Sequence, residues 1–231
     1  MFLRERSTQA ESFDAPDRTA AEVAESYNHL ARLNRFFFFA HPFVLVLPRL
    51  LGHECCQKLS LLDVGAGDGS LGIALNRWAA RRGWDWQVTN LDSNPLALQL
   101  NPGGRNVTGS ALQLPFPDGH FDAVISSQMT HHLKTDQETT AHFRAAWRVA
   151  RHGVLLSDLH RNRALYFLVW FGMRLLRLPA PLRQDGLISV RRGFRVPEWR
   201  ALANPAGIPS AKVWLYLGTR LILEARKSPR S

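Results

Sequence analysis

Alternating strand and helix signals, a glycine-rich turn and a closing pair of strands predict an α/β fold, with a mostly parallel sheet between helices and an antiparallel hairpin at its end. The turn is Leu61-Leu62-Asp63-Val64-Gly65-Ala66-Gly67-Asp68-Gly69-Ser70, two apolar residues and an acid followed by three glycines at alternate positions. Glycine there permits positive φ and removes Cβ atoms that would hold a ligand off the backbone, and the apolar stretch from Leu71 to Leu75 then starts a helix. A nucleotide-type ligand fits such a loop, at the carboxyl end of its strand.

Residues 1–18 are polar, mixed in charge and contain Pro16, so a frayed leader without a chemical role is expected. Val23, Tyr27, Leu30 and Ala31 share one helical face, which predicts an amphipathic helix over residues 20–35. The apolar run that follows, Phe36 to Leu51, is broken at Pro42 and Pro48 and is too short to span a bilayer, which needs about 20 residues. After the glycine loop come a strand ending at Asp92 and a helix over 95–100. A short strand follows at 106–109, a fourth at 121–126, a helix over 136–149, a fifth strand at 153–157, and a hairpin formed by 213–217 and 220–224.

At 231 residues and 45% hydrophobic, the chain can bury a full core as one domain. Its opening Met-Phe-Leu-Arg-Glu-Arg is charged where a signal peptide is apolar, and Cys55 and Cys56 are adjacent, which suits no disulfide framework. A reducing cytoplasm fits both. The net charge of +10 is concentrated late: residues 144–231 carry 17 basic and 4 acidic side chains. Nucleic acid, an anionic lipid surface, an acidic substrate or a solvated arginine-rich face all remain open on charge alone.

Three glycines alone would also suit a dinucleotide. Here Asp63 stands two residues before the first glycine, Asp92 ends the next strand, and Leu114-Pro115-Phe116-Pro117-Asp118-Gly119-His120-Phe121-Asp122-Ala123-Val124 runs into the fourth. Together these resemble the class I methyltransferases that use S-adenosylmethionine, in the small-molecule branch that includes ubiquinone and menaquinone methyltransferases. The resemblance is dense from Leu61 to Asp158 and looser elsewhere. It implies a Rossmann-like fold with a mostly parallel seven-stranded sheet, a C-terminal antiparallel hairpin and an N-terminal helical extension. The expected organisation is a leader and helical cap over 1–56, then a methyltransferase domain over 57–231 with a substrate lid inserted at about 160–195.

The resemblance also implies site residues. Gly65, Ala66 and Gly67 lie under the methionine and ribose of the cofactor, Asp63 holds its amino group, and Asp92 with Ser93 meets the ribose hydroxyls, where a carboxylate accepts two hydrogen bonds from a diol. A helix cap is the other role open to Asp92. Where the family often has an acid to read adenine this chain has Ser110, so the backbone of Ala111 or Leu112 would serve, with Leu96 or Leu112 packed on the ring. Ser127 and Gln128 close over the cofactor.

His131-His132 follows the fourth strand and Asp158-Leu159-His160 the fifth, so both groups should open onto one pocket. A His oriented by Asp can deprotonate a phenol or enol near neutral pH, and histidines simply hydrogen-bonded in the loop are the plainer reading. No metal is assigned, because these groups show no compact ligand spacing, and His53, Cys55 and Cys56 are a poor zinc set. Asp185 to Arg192 is expected as a loop over the acceptor, with an arginine reaching its oxygen.

Phe194, Trp199 and the aromatics of 165–171 favour a lipophilic aromatic, quinone-like or polyketide acceptor, methylated on a hydroxyl in preference to carbon. The segment 164–173, with arginines on both sides, suits a lid or dimer contact, and after that an interfacial helix at the inner membrane face. Nucleic acid is disfavoured, since Ser126-Ser127-Gln128-Met129 is not the Asn-Pro-Pro-aromatic clamp of enzymes that hold a flipped base. A nicotinamide-dependent dehydrogenase would share the glycine loop and the acid after the second strand, and a non-catalytic partner protein could retain the cofactor pocket. A monomer and a homodimer are both open.

Overall fold

The computed structural model describes residues 3–15, 17–36, 38–52, 57–208 and 210–227; His53, Cys55 and Cys56 lie outside them. The sheet is built from β1 (Lys58–Val64), β2 (Asp85–Asp92), β3 (Arg105–Thr108), β4 (Phe121–Ser127), β5 (Ala150–Leu159), β6 (Lys212–Tyr216) and β7 (Arg220–Arg226), in the order β3-β2-β1-β4-β5-β7-β6. The first five run parallel, and β7 is antiparallel to both β5 and β6. Strand order therefore reverses between β1 and β4, which opens a crevice at their carboxyl ends. Because β7 runs the other way, its first residue, Arg220, pairs with Leu159 at that same end of the sheet.

Helices α1 (Ala20–Phe36), α2 (His41–Leu51), α3 (Ser70–Ala80), α4 (Pro95–Leu98), α5 (Asp136–Val149), α6 (Arg163–Leu175), α7 (Ala180–Arg192) and α8 (Val196–Ala203) surround the sheet. On one side, α5 and α8 bury Phe143 and Trp199 against Val124, Leu156 and Leu223; on the other, α2 and α3 bury Phe43, Leu47 and Leu75 against Leu61, Ile125 and Ile222. Coverage on both faces explains why β1 and β4 read as apolar runs without strict alternation. Helix α5 starts at a capping box, with the Glu138 backbone donating to Thr135 Oγ1 at 3.1 Å and the Thr135 backbone to the Glu138 carboxylate at 3.2 Å. Pro48 is accommodated inside α2, which ends three residues later at Leu51 and is capped by Gly52 with φ of 89°.

A third cluster lies beyond the strand ends, where Leu165, Val169 and Met173 of α6 meet Leu182 and Val190 of α7, with Leu30 and Leu33 of α1 against them. Three expectations are corrected here. Residues 180–192 form a helix that buries Leu182, Asp185, Ile188 and Arg192, spaced three or four residues apart, together with Val190, and the Asp185-Gly186 pair sits inside it. The leader, over its described residues, is docked and not frayed: Leu3 is buried, Arg6 donates to Leu133 O at 2.9 Å and stacks on Phe194, and Ser7 N donates to Arg191 O at 3.0 Å. Asp185 anchors it, accepting from Ser12 N at 2.9 Å, Ser12 Oγ at 2.5 Å and Phe13 N at 3.0 Å. Phe194 and Trp199 pack on each other in the core, so they do not shape an acceptor pocket.

Asp185→Ala leaves those leader donors without acceptors, a loss of about 1–3 kcal/mol. Limited proteolysis is expected to cut the leader of the variant well before that of the parent, with the core of the sheet still protected.

Candidate active site

A cavity of about 820 Å³ opens at the carboxyl ends of the strands, between the sheet, α1, α6 and the leader. At one end lies the glycine loop. Gly65, Gly67 and Gly69 have φ of 73°, 55° and 70°, and the loop is drawn onto β2 by bonds from Gly65 N and Ala66 N to Leu91 O at 2.8 and 3.1 Å. A Cβ on Gly65 would strike Met129, and one on Gly67 would lie 2.7 Å from Tyr27 Oη, so close packing as well as φ demands glycine at both.

Asp63 ends under this loop, 1% exposed, and neither carboxylate oxygen has a hydrogen-bond partner among the described residues. Burial first, then the charges of Asp92 and Asp68, push its pKa up to about 8. A buried carboxylate without a partner is costly, and an ammonium group beside it removes the cost. Ser127 Oγ, also lining the cavity, is likewise buried without a partner among the described residues. Asp92 accepts from Gly67 N and Asn94 N, both at 2.8 Å, and keeps further lone pairs for a diol. The cap of α4 is Asn94, whose side chain accepts from Leu96 N at 3.0 Å, so capping does not account for Asp92. These groups fit the amino end and ribose of S-adenosylmethionine.

Ser93, Ser110, Ala111, Leu112 and Leu96 line the same half, as do Ser127 and Gln128. Leu112 N donates to Ser110 Oγ at 3.2 Å. Beneath them His142, which no sequence signal singles out, contacts Ala111 O through Nδ1 at 3.4 Å; burial lowers its pKa to about 4 and keeps it neutral. Gln128 has φ of 55° and reaches Asn34 of α1 at 3.2 Å, so α1 is tied over the cofactor half through Gln128 and Tyr27.

The other half contains the histidines. His131 and His132 both line the cavity, while Asp158 lies wholly buried behind them. Asp158 accepts from His131 Nδ1 at 2.6 Å and from His131 N at 2.8 Å. Burial opposes its ionisation, yet the His131 ring and the backbone donors of Leu159 and His131 hold its pKa below the usual carboxylate range. With Nδ1 engaged, Nε2 is the free ring atom, and it faces Glu11 Oε1 at 3.9 Å. His132 Nδ1 pairs with Asp14 at 2.9 Å.

Expectation and structure part at His160. β5 ends at Leu159, and the His160 ring is engaged by the Asn162 amide at 2.7 Å beside Gly218, outside the cavity lining. Arg192, one of the two arginines in the segment expected to reach an acceptor oxygen, is buried and donates to His131 O at 3.1 Å, His132 O at 2.9 Å, Asp14 at 2.9 Å and Glu11 at 3.3 Å. Glu11 and Asp14 enter from the leader, and nothing in their sequence spacing points to them. With Glu11 included, the histidines form a grouping whose ligand atoms lie within 4.8 Å of one another, more compact than the sequence spacing implies. The Arg192 guanidinium, already bonded to Glu11 and Asp14, holds the cation position beside it.

Residues 62–157 match the model of a methyltransferase domain. The chain is 30% identical over 166 residues to a ribosomal protein L11 methyltransferase from Laribacter hongkongensis, covering 69% of this chain and 52% of that protein. It is 32% identical over 120 residues to a demethylmenaquinone methyltransferase from a Roseiflexus species, covering 48% of each. The chain thus spans about half the length of these curated relatives. In fold, it is similar to an S-adenosylmethionine-dependent methyltransferase of Methanococcus maripaludis, with a TM-score of 0.63 at 16% identity over 97% of this chain and 98% of that one. Magnesium protoporphyrin IX methyltransferase from Synechocystis, solved with bound S-adenosylhomocysteine, aligns with a TM-score of 0.54 at 19% identity over 82% and 83% of the two chains. Residues 62–157 thus carry a methyltransferase domain, and the strand order and the unpartnered Asp63 beneath the glycine loop agree with the fold of the class I methyltransferases, which draw their methyl group from S-adenosylmethionine.

Proposed function

We propose that the chain transfers a methyl group to a hydroxyl of a lipophilic aromatic, quinone-like or polyketide small molecule, with carbon as the second choice of atom. The observation that carries this reading is the His131–Asp158 pair at the wall of a cavity that the apolar face of α6 also lines. S-adenosylmethionine supplies the electrophilic methyl group. Asp63, Asp92 and the glycine loop bind and orient the donor, with Ser127 and Gln128 over it. Asp158 fixes the Nδ1–H tautomer of His131, so that Nε2 takes the acceptor's proton while Glu11 balances the resulting charge. Leu165, Val169 and Met173 exclude water, so alignment contributes as much as proton transfer. Arg192 steadies the histidine loop, and no metal ion is part of the reading. His132 is the second candidate base, with Asp14 as its orienting acid; His160 has no role.

The outer face of α6 supports a route for such an acceptor. Among the described residues no helix is long and apolar enough to cross a membrane, yet Phe167, Phe171 and Leu175 are 58–60% exposed on one face. Arg163, Arg174 and Arg177 are exposed around them, and no acid occurs between Asp158 and Asp185. A helix with one apolar face on the cavity and another outward, rimmed by arginines, suits an anionic lipid surface that holds the acceptor. A cavity of about 820 Å³, in the size range of small-molecule sites, supports this reading over a protein acceptor such as the one named for the Laribacter relative.

Four outcomes test the proposal. Asp63→Asn is expected to weaken S-adenosylhomocysteine binding about tenfold or more in calorimetry, the loss of a charged hydrogen bond. Because folding raises the Asp63 pKa from 3.8 to about 8, the free protein loses stability as pH rises through that window, and the variant flattens the loss in thermal unfolding. His131→Ala is expected to lower methyl transfer to a long-chain alkylphenol about 100-fold or more with cofactor binding intact. Asp158→Asn lowers it less, and a full rate in both variants leaves positioning as the whole mechanism. Phe167→Glu with Phe171→Glu abolishes sedimentation with phosphatidylglycerol vesicles, which the parent binds at low salt and phosphatidylcholine vesicles do not reproduce.

A further inference from the structure

Arg220 has no place in the chemistry above, and its surroundings give it one. It opens β7, is 6% exposed and lines the cavity. Its Nη1 is buried without a hydrogen-bond partner among the described residues. Buried arginines elsewhere in this chain are matched: Arg161 meets Glu198 at 2.5 Å and Arg192 meets Glu11 and Asp14. Asp158 attracts Arg220 electrostatically, but its oxygens are taken by His131 and Leu159. Burial lowers the Arg220 pKa to about 10, which leaves it charged at neutral pH. An unmatched buried guanidinium is costly, and an anionic oxygen that meets it removes the cost.

Position decides whose oxygen that is. β7 stands three strands from β1 in the sheet order, roughly 14 Å from the glycine loop at about 4.8 Å per strand. Asp158, which holds His131, pairs with Leu221 in the register next to Arg220. The cofactor end, the histidine and the guanidinium therefore follow one another along the carboxyl edge of the sheet. Beyond Arg220 the cavity continues past Tyr216 and Leu217, the latter 77% exposed at its mouth.

We infer that Arg220 receives an anionic oxygen of the methyl acceptor, a carboxylate or an enolate or phenolate set beside the hydroxyl presented to His131. The acceptor is then a lipophilic acid or acidic phenol with its polar end at the sheet and its apolar body along α6. Arginine suits this through its fork of donors, which grips a carboxylate with two bonds. The inference rests on the methyltransferase reading above. The cofactor's own carboxylate is the other source of the same chemistry, and the test separates the two.

Binding of dodecanoate and of dodecan-1-ol to the full chain loaded with S-adenosylhomocysteine, followed by intrinsic fluorescence, measures the preference for the anion. The parent is expected to favour dodecanoate about tenfold or more. Arg220→Met is expected to abolish the preference, keep its affinity for S-adenosylhomocysteine, and melt at a higher temperature without ligand. Where Arg220→Met does not fold, Arg220→Gln, which keeps donors but no charge, is expected to lose the preference. Equal binding of the two probes, no binding of dodecanoate, or a preference that survives the substitution overturns the inference and leaves the cofactor reading intact. Loss of S-adenosylhomocysteine affinity in Arg220→Met also overturns it, and assigns the guanidinium to the donor's carboxylate.

Discussion

The acceptor half of the cavity is held in shape by one buried guanidinium. Arg192, at the end of α7, donates to the carbonyls of His131 and His132 and to the carboxylates of Glu11 and Asp14. Withdrawing a guanidinium from water costs several kcal/mol unless its donors are used, so these four acceptors are drawn together by a common need. The leader, the histidine loop and α7 meet at that point, and Asp185 one turn and more earlier in α7 fastens the leader a second time. His131 is thus gripped from both sides, by Arg192 at its carbonyl and by Asp158 at its ring and amide.

Set against this matched cluster, Asp63 and Arg220 are charges or potential charges with buried polar atoms that lack hydrogen-bond partners among the described residues, at opposite ends of the same cavity. Each lowers stability in the free protein, and each is relieved by a ligand of opposite charge. Perturbed, uncompensated groups of this kind concentrate where binding is selected over stability. Between them stand a histidine of fixed tautomer and the apolar wall of α6. In the proposed binding mode, their order along the sheet edge gives direction to the acceptor.

Much of the frame is legible in the sequence because it rests on local signals. The glycine loop, the helix over 136–149, the strand end at Asp92, the fourth strand from Phe121 and the terminal hairpin all follow from periodicity and turn chemistry. The cofactor half follows from these, since its residues lie within a turn of strand ends. The acceptor half does not. Glu11 and Asp14 reach the histidines only through tertiary docking, from a segment whose polarity resembles a solvated tail. Asp185-Gly186 reads as a turn until the burial of Leu182, Ile188 and Val190 overrides it. The arginine excess of the last third reads as a surface, yet Arg161, Arg192 and Arg220 are buried, and no sequence period distinguishes these from exposed ones. His160 lies just past the end of the fifth strand at Leu159, where Asn162 and the Gly218 carbonyl engage its ring outside the cavity lining.

The proposed chemistry is transfer of a methyl group from S-adenosylmethionine to an oxygen of a lipophilic small molecule. Its most direct test incubates the purified chain with methyl-deuterated S-adenosylmethionine and a lipid extract of its source cell, then identifies deuterated products by mass spectrometry and locates the labelled atom. A labelled O-methyl ether on a lipophilic aromatic or quinone-like compound is the expected result. Cofactor binding without any labelled lipid, or label found only on protein or nucleic acid, would contradict the account.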